Sequence, residues 1–483
     1  MSDAPKGVYT ESHYLCAMSI GLKRQDTIVA VATPSGEGAI GVIRLSGEQA
    51  IAIADKHFVG RKRVEEARSH SLLVGRWEHE HALIDEVVIS LYRGPRSYTG
   101  EDVVEISCHG SSYIIRQIVE QCILAGARAA DRGEYTLRAF LHGKLDLSQA
   151  ESVADIIAAD TRTQHEMALG QMRGGYSECL RGLRDELIEF AGLIELELDF
   201  SEEDVEFANR EKLFALIAHL QEQVKKLIDS FALGNVLKEG IPVAIIGEPN
   251  VGKSTLLNAL LNEERALVSD IAGTTRDFIE DTLRVGGVLF RFIDTAGIRS
   301  TEDVLETKGI ERTFEKLRSA RIILYLCDIR EDYRSIVAKV KELKPGSTQK
   351  IIVLLNKMDT ISVCDAYDIE EAVSVTTQLP ALALSAVSKD HTDKLLSKLV
   401  SIVEEEKMQH DGFMVSNIRH VDALNRTLSS LQLIEKGMRD QLPGDLLSVD
   451  IRMALHSLGE ITGSVELDRD ILGTIFGKFC IGK

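Results

Sequence analysis

One short segment gathers the residue types needed to hold a phosphate chain. Residues 247–254 read GEPNVGKS, preceded by the apolar run IPVAIIG and followed by TLLNALL. A strand, a glycine-bounded loop and a helix start, in that order, turn backbone amides inward and add the positive end of a helix. Gly247 and Gly252 let the backbone wrap β- and γ-phosphates, with Asn250 and Val251 between them and Thr255 directly after Ser254. Lys253 brings a point charge to those phosphates, and Ser254 offers a hydroxyl to Mg²⁺. A glycine turn that carries Lys-Ser by coincidence would leave the flanking strand and helix patterns unexplained.

Further motifs follow in the order a guanine-nucleotide site requires. GTTRD at 273–277 offers Thr275, beside Thr274, to close onto Mg²⁺ when a γ-phosphate is present. DTAG at 294–297 places Asp294 to reach Mg²⁺ through water and the Gly297 amide to sense the γ-phosphate, with Thr295 and Ala296 between. NKMD at 356–359 supplies Asn356, Lys357 and Asp359. The Asp359 carboxylate can accept from guanine N1–H and the amino group, a donor pair adenine lacks. At Ser385–Ala386 a backbone amide can reach guanine O6. The set predicts GTP hydrolysis. Ile298 follows DTAG where Ras-like enzymes carry a water-orienting Gln, and an isoleucine cannot orient water. No arginine can be identified from sequence as a finger. Asn250 is therefore a candidate ligand for a monovalent cation that supplies the finger's charge.

The elements that must position these residues are legible as patterns. Between 240 and 402 the runs IPVAIIG, LFRFIDTAG, RIILYLCD, KIIVLLNKMD and ALALSA read as buried strands with room for helical crossovers. That predicts a mostly parallel sheet covered by helices, an α/β nucleotide domain. Residues 26–144 alternate short apolar runs with turn residues and include one helical stretch, SSYIIRQIVEQCILAGA, predicting a mixed α+β domain. No proline occurs between Pro95 and Pro242, and Leu183, Leu187, Phe190, Ile194 and Leu198 form one apolar helix face. Leu424, Leu428, Leu431 and Ile434 repeat that spacing near the other end. Helical segments at 145–239 and 403–483 thus flank the nucleotide domain, which interrupts one bundle.

Bulk properties narrow the classes. A length of 483 residues suggests about three domains. No apolar run reaches the ~18 residues of a membrane span. Residues 1–25 read as a disordered extension and not as a targeting signal. The seven cysteines form no CxxC pair and read as reduced thiols in a cytoplasm. A net charge of −19 argues against a general cationic nucleic-acid clamp but leaves room for a local basic patch.

On TIVAVATPSGEGAIGVIRLSG, YTGEDVVEISCHG, GEYTLRAFLHGKLDLSQAE, AGTTRD, LGEITG and the terminal FCIGK, the chain resembles the tRNA uridine 5-carboxymethylaminomethyl modification GTPases, the MnmE or TrmE family. The likeness runs from about Asp26 to Lys483. It implies an N-terminal folate-binding α+β domain that dimerises, a helical bundle, and a GTPase domain inserted in the bundle. It implies modification of the tRNA wobble uridine at carbon 5, in the cytoplasm and with no membrane. The one-carbon donor would be a 5-formyl- or methylene-tetrahydrofolate. The partner would be the flavoprotein MnmG, which uses FAD and NADH, in a heterotetramer.

The resemblance also assigns residues. Arg44, Glu105 and Lys144 form the folate site, with Lys483 beside it. Asn250 is the potassium ligand, and Ser269, Ile271 and Thr274 complete that site. Glu306 positions the attacking water, and with Lys253 and Thr275 makes the catalytic set. Cys480 acts near the folate or RNA chemistry. Taken by their own sequence surroundings, Arg44, Glu105, Lys144 and Glu306 are equally surface charges, and Cys480 an inert small hydrophobe. Arg132, Tyr135 and Ser111 depart from the family's PGEF and HGG patterns. The other readings of the nucleotide motifs are a ribosome-assembly or regulatory RNA-binding GTPase with no folate chemistry, and a pure regulatory switch that binds protein effectors; the N-terminal motifs and FCIGK separate them from the first.

Overall fold

The computed structural model describes residues 26–34, 36–199, 210–264, 281–293, 320–343, 346, 349–408, 414–465, 472, 475–477 and 479–482. The chain divides into two compact units. The first comprises Met1–Ala158, Ala168–Lys225 and Arg419–Lys483; the second comprises Ala159–Met167 and Lys226–Ile418.

The first unit opens with β1 (Ile28–Val31), β2 (Ile40–Ser46), α1 (Ala50–His57), β3 (Phe58–Gly60), β4 (Ser71–His79), β5 (Ala82–Tyr92), β6 (Val103–His109), α2 (Ser112–Leu124), β7 (Arg128–Ala129) and α3 (Glu134–Leu141). The strands make one seven-stranded sheet in the order β3-β4-β5-β6-β2-β1-β7. One face is dry: Ile43, Leu45, Val87, Ile89, Leu91, Val104 and Ile106 pack with Ile51, Ala54 and Ile118 from α1 and α2. Alternation along the strands sends Arg44 and Glu105 to the opposite face. They are register partners on neighbouring antiparallel strands, so their side chains meet.

Helices continue the chain: α4 (Leu147–Ala158), α5 (Arg162–Met172), α6 (Gly175–Asp199) and α7 (Arg210–Glu239). The stripe read on α6 is buried, with Leu183, Leu187, Phe190 and Ile194 all at 4% exposure or less. Leu198 belongs to residues whose side chains lie outside the described set.

The second unit holds β8 (Ile241–Gly247), α8 (Lys253–Glu264), β9 (Asp281–Val285), β10 (Val288–Phe292), β11 (Ile322–Asp328), α9 (Tyr333–Glu342), β12 (Lys350–Asn356), a 3₁₀ turn (Met358–Thr360), α10 (Val363–Thr377), β13 (Ala381–Ala383) and α11 (Thr392–Met408). The sheet order is β13-β12-β11-β8-β10-β9. Every pairing is parallel except β9 with β10. The sheet is therefore mostly parallel, with one antiparallel edge strand, β9, that the strand runs did not reveal. Its hairpin turns at Gly286 and Gly287, both at positive φ (59° and 77°), the backbone a tight hairpin requires. Val243, Ile245, Leu324, Leu326, Ile352 and Leu354 fill the core, which explains why these strands read as unbroken apolar runs. No helix among the described residues is long and apolar enough to cross a membrane.

The chain returns to the first unit through α12 (Ile418–Arg439) and α13 (Gly444–Thr462). Leu424, Leu431 and Ile434 are buried there, and Leu428 half-buried. Leu472, Ile475, Phe476 and Phe479 then pack on Phe140, Leu147 and Ala150, fixing the C-terminal segment.

Candidate nucleotide and one-carbon sites

The phosphate loop lies between β8 and α8, anchored by Val251, which is buried in the core. Only glycine fits at either end. A Cβ on Gly247 would stand 2.2 Å from the Leu326 carbonyl oxygen, and one on Gly252 2.3 Å from Asn356 Nδ2. Asn250 also takes positive φ, 64°, at an exposed position. The Lys253 ammonium crosses the loop and donates to the carbonyls of Gly247 (2.8 Å) and Glu248 (2.7 Å). Burial lowers its pKa, and it makes no ion pair with a carboxylate among the described residues. A half-buried cation satisfied only by neutral carbonyls suits an anion as its counter-charge, so the loop fits a phosphate. Ser254 and Thr255 sit in the first turn of α8, whose leading amides have no partner within the helix.

The base-recognition motif is wired into this loop. Asn356, 3% exposed, donates from Nδ2 to the Val251 carbonyl (2.7 Å) and accepts at Oδ1 from the Ala386 amide (3.0 Å). One side chain thus joins the phosphate loop to the Ser385–Ala386 loop. Lys357 donates to the Asn250 carbonyl (3.0 Å) and to Asp328 Oδ2 (2.8 Å). Asp328, at the end of β11, also accepts from Arg330, and these donors hold its carboxyl well below the usual range. Asp328 was not singled out from sequence, although it closes the run RIILYLCD. Asp359 stands exposed in the 3₁₀ turn. Ser385 is buried, and its hydroxyl accepts from the Ser388 amide (3.2 Å). Ser269, Ile271, Thr274, Thr275, Asp294, Thr295, Ala296, Gly297, Ile298 and Glu306 lie outside the described residues.

On the open face of the first unit's sheet, Arg44 Nε and Nη2 both engage Glu105 Oε1, at 2.9 and 2.8 Å. Glu105 Oε2 keeps no partner among the described residues and remains able to accept a donor. The Arg44 guanidinium lies 5.7 Å from the Tyr98 ring and 5.6 Å from the Tyr135 ring, a flat aromatic and polar setting that suits a planar heterocycle. Arg44 Nη1 also donates to the Gly482 carbonyl at 3.3 Å. The terminal segment is built in tightly. A Cβ on Gly482 would meet Val31 O at 2.2 Å, and Arg132 pairs with Ile481 in an isolated bridge.

Tyr135, a departure from the family pattern, is buried, and its hydroxyl donates to the Arg44 carbonyl at 2.7 Å. Its extra oxygen thus ties α3 to β2 where a phenylalanine would only pack. Ser111 precedes α2 without a capping side-chain bond. Lys144 does not touch Arg44 or Glu105; it donates to the Pro95 carbonyl at 2.9 Å, on the loop that carries Tyr98. Cys480 is exposed, and its carbonyl accepts from the Gly133 amide at 3.5 Å. Lys483 lies outside the described residues.

Two family models match the chain: "GTP-binding protein TrmE N-terminus" over residues 27–144, and "MnmE helical domain" over residues 147–480. Among curated proteins, the tRNA modification GTPase MnmE of Flavobacterium johnsoniae is 49% identical over 465 residues, 95% of this chain and 99% of that one. That of Christiangramia forsetii is 49% identical over 475 residues, 96% of this chain and all (100%) of the relative. That of Bacteroides fragilis is 47% identical over 465 residues, covering 95% and 100%.

Proposed function

The chain belongs to the MnmE family of tRNA modification GTPases, an enzyme that hydrolyses GTP, and from that premise we propose that it takes part in modifying the wobble uridine of tRNA at carbon 5. The observation that carries the proposal is 49% identity to such an enzyme over 95% of the chain, together with a partly open Arg44–Glu105 pair under the terminal segment.

In this reading Lys253 and the amides of residues 247–255 bind the β- and γ-phosphates. Ser254 and Thr275 hold Mg²⁺, with Asp294 reaching it through water. Asp359 reads the guanine edge beside the Ser385–Ala386 loop. Asn356 keeps the two ends of the nucleotide site in register, which its paired bonds support. Asn250, Ser269, Ile271 and Thr274 hold potassium, which when bound supplies positive charge next to the phosphates. Glu306 orients the attacking water.

Glu105 and Arg44 bind a 5-formyl- or methylene-tetrahydrofolate, with Lys144 and Lys483 at the margin and Cys480 near the chemistry. The chain forms a homodimer and works in the cytoplasm with the flavoprotein MnmG, which brings FAD and NADH, and with tRNA. The potassium part is tested by GTP turnover in potassium against sodium at matched ionic strength. Turnover should be faster in potassium, and Asn250→Ala should lose most of that difference while still binding nucleotide. Equal rates in both salts for the unaltered protein would remove potassium from the mechanism.

A further inference from the structure

The chain is strongly acidic, yet the first unit carries one local surface of the opposite sign. Two loops build it: residues 61–70, between β3 and β4, and residues 93–102, between β5 and β6. Arg93 clamps them together, donating from Nη2 to the carbonyls of Glu65 (2.7 Å) and Ala67 (3.3 Å), while its own amide donates to Ser69 Oγ (2.9 Å).

Some acids of this region are paired. Arg63 pairs with both Asp55 and Glu65, leaving one negative charge over. Glu101 pairs with Arg138, and Asp102 accepts from the Gly94 amide and keeps its charge. What remains is Arg61, Lys62, Arg68 and Arg96, all exposed and none in an ion pair among the described residues, with Arg93 on carbonyls, against Glu66, Asp102 and one of the two carboxylates on Arg63. A local excess of cations on clamped loops suits a polyphosphate backbone.

The position of this surface says which polyanion. The second loop also carries Tyr98, whose ring faces Arg44, and Pro95, whose carbonyl holds Lys144. The basic surface and the Arg44–Glu105 site therefore share one loop. A substrate base brought up to a folate held by Arg44 and Glu105 would carry its flanking phosphates toward that loop.

We propose that the Arg61–Lys62–Arg68–Arg96 surface binds the phosphate backbone of the RNA whose base is presented to the Arg44–Glu105 site. This rests on the proposed tRNA reading. It assigns the contact to charge on loops, so it positions the RNA without reading its sequence.

The test is tRNA binding by the full-length protein as a function of salt, for the parent, for Arg61→Glu/Lys62→Glu and for Arg61→Gln/Lys62→Gln, with GTP turnover as the folding control. Removing two phosphate contacts should lower the slope of log affinity against log salt by about 1.4–1.8. The reversal should weaken binding more than the neutral pair, with GTP turnover unchanged. Parent-like affinity and slope in both variants would overturn the surface while leaving the tRNA reading intact. No tRNA binding by the parent would overturn the reading itself. Vesicles containing phosphatidylserine are titrated in parallel; a loss confined to vesicles would make this a membrane contact and also overturn the proposal.

Discussion

At the scale of residues, the roles proposed for Asp359 and Glu105 are alike but their surroundings differ. Asp359 is exposed in its turn, with Asn356 and Lys357 just before it locked to the phosphate loop. Its carboxylate can take two donors from guanine. Asp359→Asn should therefore weaken GTP binding and admit xanthosine triphosphate, whose altered edge suits an amide; competition binding with the two nucleotides measures this. An unchanged preference for GTP would remove Asp359 from base selection. Glu105 shares one oxygen with Arg44 and keeps the other open. Losing a charge-assisted contact costs about 1.5–3 kcal/mol, roughly ten- to hundredfold in affinity. Glu105→Ala should bind a formyl-tetrahydrofolate that much more weakly by calorimetric titration, and matching affinities would exclude it.

The phosphate loop and the NKMD turn were legible as local structure because each is a short contiguous string whose chemistry follows from its own residues; GTTRD and DTAG lie outside the described residues. The Arg44–Glu105 pair was not. The two residues stand 61 apart in sequence, and only the sheet register brings them together. Family resemblance suggested them, and no periodicity could. Tyr135 drew notice as a departure, but that its hydroxyl would tie α3 to β2 required the fold.

At the scale of elements, buried strands announced themselves and half-exposed ones did not. β8, β11 and β12 are covered on both faces, so their sequences are apolar between their ends. β4 was passed over: it alternates half-buried and exposed positions, and Leu72 and Val74 face outward. β9 was missed for a different reason. The paired glycines at 286–287 were a hairpin signal that went unused.

The helical elements are joined by a buried charge cluster that no stripe foretells. Glu151 of α4 accepts from Arg419 Nε and Nη2 at 3.0 and 3.1 Å, and meets His420 Nε2 at 2.7 Å. Burial alone would raise the Glu151 pKa, but His420 and Arg419 outweigh it and bring it down to about 2. A carboxyl whose folded pKa is depressed stabilises the fold above its unfolded pKa of about 4.5 and loses that contribution as pH falls toward 2. Chemical denaturation should show stability declining from pH 5 downward, and Glu151→Gln should flatten part of that decline. Glu151→Gln removes the carboxylate that Arg419 and His420 share and should cost about 3–5 kcal/mol at neutral pH. A variant with parent-like stability at both pH values would show the cluster to be neutral in energy.

At the scale of the whole molecule, the fold class followed from the order of patterns: strands with turns, then helices, then alternating strands and helices, then helices again. The net charge of −19 is a global sum and hid the basic loops at 61–70 and 93–102, where ion pairing among neighbours decides what is left over. The account asks both units to serve one reaction: GTP turnover around Lys253, and a one-carbon site around Arg44 and Glu105. That claim is tested most directly by nucleoside analysis of total tRNA from cells lacking the protein, restored with the parent chain, with Lys253→Ala or with Glu105→Ala. Carbon-5-substituted wobble uridines should be lost without the protein, return with the parent and fail to return with either variant. Wobble uridines unchanged by the loss of the protein would contradict it.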